Sequence, residues 1–237
     1  LRKLWVVLAA SIALAGCKGK DGGAGPTGPT GSGVQTFTAT FREGANGYAG
    51  TLVSLIEPSA PNATDQDDFS IITSSSTNWT RVLLQFPIQY WIPQNVTVKA
   101  ASVALFVNGL SGTRTIGAHA VHCAWTGNAT WNKLDGVNAW GNCSGSGSNA
   151  FAVGSNFTAT PMSTVTLSPS GINGGTVAWT LSPSVVQAWL NTSGGNDGLV
   201  FMSEAEGAET SGFVFINSPN DATVNYRPEL TIQYTIP

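Results

Sequence analysis

The sequence predicts an all-β fold, an antiparallel sandwich of two stacked sheets, on three observations. From Val34 onward, short apolar runs are separated by Gly, Pro, Asn and Asp clusters at strand-plus-turn spacing. Several of these runs alternate apolar and polar residues, so each would bury one face of a sheet. A single segment of this stretch carries helical spacing instead.

Before Val34 the chain has a different character. Arg2 and Lys3 precede the apolar stretch Leu4 to Ala15, which ends in Leu14-Ala15-Gly16-Cys17. The stretch is shorter than the roughly 20 apolar residues a spanning helix needs, and it has the form of a secretory signal. Its end resembles the bacterial lipoprotein pattern, which implies a signal peptide over residues 1–16 and lipid on Cys17. Lys18 stands where inner-membrane retention is associated with aspartate, so the expected location is the outer membrane or cell surface. Membrane contact would be through the lipid anchor only. Glycine then recurs at every third position from Gly16 to Gly31, with Pro26-Thr27 and Pro29-Thr30 between the later ones. This period is collagen-like, because only glycine fits a triple-helix axis. So few triplets favour a semi-extended tether over residues 17–33, with trimerisation into a homo-oligomer as the alternative.

The domain expected over residues 34–237 opens its clearest patterns at Thr80 to Phe86, where Val82, Leu84 and Phe86 point inward. Ala101 to Val107 does the same with Val103, Leu105 and Val107. Val177, Trp179 and Leu181 alternate with Thr176, Ala178 and Thr180, and Leu230, Ile232 and Tyr234 with Thr231, Gln233 and Thr235. Leu199 to Met202 and Phe213 to Ile216 are apolar throughout, as central sandwich strands can be. The exception is Ser182 to Leu190, a short helix with Ser182 as cap and Pro183 at the first helical position. Its apolar face comprises Val185, Val186, Trp189 and Leu190, which makes Trp189 a core residue.

Charged residues are 10% of the chain, against about 25% in typical soluble domains. With a net charge of −3 and no Lys/Arg run, nucleic acid is excluded as a partner. With Cys17 assigned to lipid, Cys123 and Cys143 form an even pair, expected as a disulfide in an exported protein. Asn-x-Ser/Thr triplets, including Asn78, Asn95 and Asn191, follow from the abundance of Asn and Thr.

The order of Thr80-Arg81-Val82-Leu83-Leu84-Gln85-Phe86, Val98 to Val107 and Trp125-Thr126-Gly127-Asn128-Ala129-Thr130-Trp131-Asn132 resembles the DNRLRE domain family. Leu181 to Leu190, Asn196-Asp197-Gly198-Leu199 and Arg227-Pro228-Glu229-Leu230-Thr231-Ile232-Gln233-Tyr234 look like that family's helix, return strand and terminal strand. The likeness covers about Gly50 to Ile236. It implies a jelly-roll-like sandwich related to a carbohydrate-binding module, and hence glycan binding. The chain departs from the pattern at Gly127 and Asn128, where an acidic residue is usual, and in Ser218 to Asn225, which lacks the usual glutamate.

Sugar recognition needs flat aromatic faces together with amides or carboxylates. Trp79, Tyr90, Trp91 and Trp140 lie in polar, turn-rich segments and are the candidate stacking residues, while Trp125 and Trp131 are read as packing residues. Asp65, Asp67 and Asp68 share a loop and are the candidate ligands of a structural calcium ion. A solvated turn is the plainer reading, and no cofactor is required. Glu204, Glu206 and Glu209 supply the carboxylates a glycosidase would need, yet beside Gly207 and Gly212 they read as a hydrated turn. His119 and His122 fall on opposite faces of a strand and do not suit a shared metal. No nucleophile elbow, phosphate loop or Cys-x-x-Cys pair occurs. The function expected is therefore a non-catalytic surface lipoprotein that binds polysaccharide. The alternatives are an adhesive protein that assembles through protein contacts and, behind it, a polysaccharide-cleaving enzyme.

Overall fold

The computed structural model describes residues 34–65, 70–73, 79–144, 150–172, 174–208 and 212–237. The signal and tether residues, Cys17, Asp67, Asp68, Asn78 and Glu209 lie outside the described residues. In chain order the strands are β1 (Thr36–Arg42), β2 (Leu52–Ile56), β3 (Ser70–Thr73), β4 (Arg81–Gln85), β5 (Thr97–Leu110) and β6 (Arg114–Ala120). They continue with β7 (Ser163–Leu167), β8 (Gly175–Leu181), β9 (Leu199–Ser203), β10 (Gly212–Ile216) and β11 (Glu229–Thr235). Among the described residues there are two α-helices, the single turn α1 (Gly141–Ser144) and α2 (Pro183–Asn191), and a short 3-10 helix at Val224–Tyr226.

These strands form two antiparallel sheets. The first has the order β1-β11-β5-β10-β3 with β8 also paired to β5, and the second has the order β2-β4-β9-β6-β7. Four strands of the first sheet, β1-β11-β5-β8, face β4-β9-β6-β7 of the second. This is the eight-stranded double Greek key of a jelly roll, as expected. Strand β5 is long enough to serve three partners: residues 97–104 pair with β11, 101–107 with β8 and 107–110 with β10. Thr36 of β1 and Thr97 of β5 both face Thr235, so these two strands start at the same end of the sheet.

The alternation read from the sequence sets the faces. Val177, Trp179 and Leu181 enter the core while Thr176, Ala178 and Thr180 point out. Val103, Leu105, Val107, Leu230 and Ile232 join them. Tyr234 stops at half-burial because the register slips between Gln233 and Tyr234. Trp179 ties the layers together. From β8 it crosses the core and donates its indole N–H to the Ile116 carbonyl of β6 at 2.9 Å, and its ring meets Phe201 of β9 edge-on at 5.4 Å.

The second sheet is buried on both sides at its strands β4 and β9. Val82 and Leu84 of β4 and Leu199 and Phe201 of β9 face the main core. Leu83 and Val200, one residue out of phase, face a smaller apolar layer with Trp125, Trp140, Phe151 and Phe157. The chain between β6 and β7 covers that layer, and the Cys123–Cys143 disulfide closes it with Cα atoms 5.9 Å apart. Such a cross-link contributes about 3 kcal/mol by constraining the unfolded chain. Buried Asn156 donates to the Trp140 carbonyl and accepts the Ala152 N–H. Asp135 caps a turn, and hydrogen bonds from Asn138 and Val137 hold its carboxyl below the usual range.

Three local expectations are corrected. Strand β10 is not central on both faces, because Val214 and Ile216 point inward while Phe215 is exposed outside beside Gly109. Ser182 sits at the start of α2, but its hydroxyl pairs with the Ser184 hydroxyl at 2.8 Å instead of capping a backbone N–H. The Val185 and Val186 N–H groups turn instead to the Ser182 carbonyl. Trp140, expected among the exposed aromatics, is fully buried in the outer apolar layer.

Replacing Trp179 by Ala should cost about 3–5 kcal/mol from the cavity and the lost ring. Trp179→Phe should cost less but still about 1–3 kcal/mol, because the Ile116 carbonyl loses its donor. Urea unfolding followed by tryptophan fluorescence measures both.

Candidate functional site

The connection from β4 to β5 is shaped by two isoleucines. Ile88 and Ile92 are buried, and the Trp91 N–H closes a turn onto the Ile88 carbonyl at 3.0 Å. The residues between them are thereby pushed outward. Tyr90 is 99% exposed and Trp91 47% exposed. Trp91 rests edge-on against buried Tyr48 at 5.4 Å, and Tyr48 meets Phe41 at 5.3 Å. Burial pushes the Tyr48 phenol well above its ordinary range, so it stays neutral. Asn95 then turns the chain into β5 with φ of 64°, a left-handed conformation asparagine tolerates.

Helix α2 forms the opposite wall. Val186 and Trp189 bury its inner face. Gln187 ties it to the strand: its Oε1 accepts the Val98 N–H at 2.8 Å, and its Nε2 donates to the Val96 carbonyl at 3.1 Å and to Asn191 Oδ1 at 2.9 Å. The residues after the helix are tied as well. Asn196 Nδ2 donates to the Phe86 carbonyl at 2.6 Å, and the Gln85 side chain donates to the Asn196 carbonyl. Gly198 follows at φ of 75°, pressed so close to the Leu84 carbonyl that a Cβ would collide with it.

Between these walls lies a groove made of two depressions, about 400 and about 520 Å³, that share Gln94 and Asn191. Gln89, Tyr90, Leu190 and Ser193 line one part, and Asn95, Val96, Thr97 and Gln187 the other. None of the lining residues is acidic or basic. The side chains of Gln89, Gln94 and Asn95 make no hydrogen bond among the described residues.

Of the aromatic candidates, the structure places Tyr90 in the groove and Trp91 beside it in the same turn. Trp79 is half-buried against Trp131 at 6.4 Å and lines no part of the groove. Trp140 is excluded from any stacking role, since it is fully buried, donates Nε1–H to the Thr130 carbonyl at 2.9 Å and packs on Phe151 at 4.6 Å. Its turn-rich neighbours disguise it because they roof the outer apolar layer. Trp125 is buried and donates to the Asp197 carbonyl at 2.8 Å. The backbone of Asp65 accepts the Leu55 N–H at 2.8 Å, and Asp67 and Asp68 lie outside the described residues. Among the described residues no group of three His, Cys, Asp or Glu is placed to hold a metal.

The turn after β9 is exposed at Glu204, Gly207 and Ala208, as a hydrated turn would be, but its Glu206 is a largely buried anchor. The side chains of Arg81 and Glu206 are 9% and 11% exposed. Arg81 forks both carboxylate oxygens at 2.7–3.2 Å, donates Nη1 to the Phe151 carbonyl and lies 4.8 Å from the Trp131 ring centroid. Glu204 meets His119 Nε2 at 2.9 Å, while His119 Nδ1 donates to the Thr158 carbonyl at 2.8 Å. His122 is exposed beyond the end of β6. On the other flank of α2, His122 and Asp197 border a more apolar depression of about 360 Å³ with Val185, Ala188 and Trp189. Burial lifts the Asp197 carboxyl above its usual range, and His122 opposes that shift.

No protein-family model matches the chain, and no curated protein matches it.

Glu206→Ala should destabilise the fold by about 3–5 kcal/mol, because the Arg81 charge is left buried without its partner; chemical denaturation checks this. Asp197 should weaken the fold as pH rises through its lifted native pKa, since the native state holds that proton more tightly than the unfolded chain. Asp197→Asn should therefore raise the urea midpoint at neutral pH, and the gain should vanish at about pH 3, where both states are protonated.

Proposed function

We propose that this protein is a non-catalytic polysaccharide-binding β-sandwich, carried by a lipidated tether at a bacterial cell surface, with the glycan lying in the groove between residues 89–97 and α2. The observation that carries the reading is Tyr90, 99% exposed on a turn held by two buried isoleucines at the edge of an amide-lined groove. An aromatic ring presented at the edge of the groove offers a flat face that suits the apolar face of a pyranose ring. Ligand sites are concave, commonly about 300–1,000 Å³, with a few polar groups that fix orientation. The groove has that size, with amides and hydroxyls in place of most of the apolar lining. The resemblance to carbohydrate-binding modules points the same way. The absence of a catalytic role is supported by the engagement of Glu204 with His119 and of Glu206 with Arg81, which leaves neither carboxylate aimed at the groove.

Affinity electrophoresis of the full chain through gels containing individual polysaccharides tests the proposal. At least one polymer should retard the protein. Tyr90→Ala should weaken that retardation about tenfold, the scale of one lost aromatic contact, without moving the unfolding midpoint. If no polysaccharide slows the wild type, the function is wrong. If retardation survives both Tyr90→Ala and Asn191→Ala, the groove is not the site.

A further inference from the structure

The groove's side chains also carry information about which glycans it takes. Resting on the binding reading above, we infer that the groove selects an uncharged glycan and discriminates against uronate-bearing or sulfated polymers. Gln89, Gln94, Asn95 and Asn191 each bring an amide to the groove, and Ser193 and Thr97 add hydroxyls from its two walls. A primary amide offers both N–H donors and a carbonyl acceptor. Sugar hydroxyls also donate and accept, so both halves of every amide find a partner. A carboxylate or sulfate only accepts. It would satisfy the N–H groups and leave the amide oxygens facing negative charge, with the lost hydration of the anion unrepaid.

Among the described residues no Lys or Arg lines the groove, and three arginines are engaged elsewhere. Arg81 is buried against Glu206, Arg42 pairs with Glu229 at 2.9 Å, and Arg227 donates to the Asp221 and Glu43 carbonyls. Lys99 on β5 is exposed but lines neither part of the groove. The whole chain is net negative, at −3, so its long-range field repels polyanions instead of steering them in.

The test is affinity electrophoresis of the full chain against neutral polymers (xylan, glucomannan, hydroxyethylcellulose) and acidic ones (alginate, polygalacturonate), with and without about 0.5 M salt, a level that screens exposed charges. The wild type should bind its best neutral polymer at least tenfold more tightly than either acidic one, with little change in salt, and Tyr90→Ala should weaken that binding about tenfold. Gln94→Lys should raise alginate affinity several-fold in a salt-sensitive manner, since it places a cation in the groove. Alginate or polygalacturonate binding as strong as any neutral polymer, and weakened in Tyr90→Ala, overturns the selectivity while leaving the glycan-binding groove intact. Retardation by no polymer at all overturns the glycan reading and the selectivity together.

Discussion

The structure depends on one constraint: strands β4 and β9 are apolar on both faces. Val82, Leu84, Leu199 and Phe201 fill the space between the sheets, and Leu83 and Val200 would meet water on the other side if nothing covered them. The long excursion between β6 and β7 covers them, and a disulfide, a buried asparagine and several indoles hold it down. Arg81 fits the same logic. Its strand position points it into this outer layer, where a charge is tolerable only because Glu206, the Phe151 carbonyl and the Trp131 face surround it. That side of the sandwich is therefore committed to structure, and the open groove lies where α2 meets the start of β5.

At that end, rigidity comes from side chains that act as backbone partners. Gln187 supplies an acceptor and a donor to Val98 and Val96 as a neighbouring strand would, and Asn196 does similar service for Phe86. Helix α2 and the start of β5 are thus fixed to each other. A site held in this way loses little side-chain and loop freedom on binding, which lets a few weak polar contacts suffice for useful affinity.

The sequence made the periodic elements readable because their signal is local. Trp179 and its neighbours announce their faces by strict alternation, and α2 announces itself by a proline and four apolar residues at helical spacing. Tyr90 and Trp91 could be picked out from their turn-rich surroundings, but the same criterion chose Trp140, because a loop that roofs an apolar layer has the same composition as one in water. The remaining misses are long-range. Glu206 finds Arg81 across 125 residues of sequence, and Gln187 finds Val98 across 89. No local pattern distinguishes a glutamate that will be buried by a distant arginine from one in a hydrated turn, or a glutamine that clamps a strand from one that faces solvent.

The shared start of β1 and β5, with the end of β11 between them, has a practical bearing on how the molecule can be handled. Thr97 lines the groove, and Thr36 and Thr235 lie in register with it, so both ends of the described domain emerge beside the groove. A bead or fused protein joined directly at either end of the described domain, with no spacer between, would crowd the groove and present the opposite pole of the sandwich to the medium. Sensor surfaces built from this domain are better coupled through a side chain at that far pole.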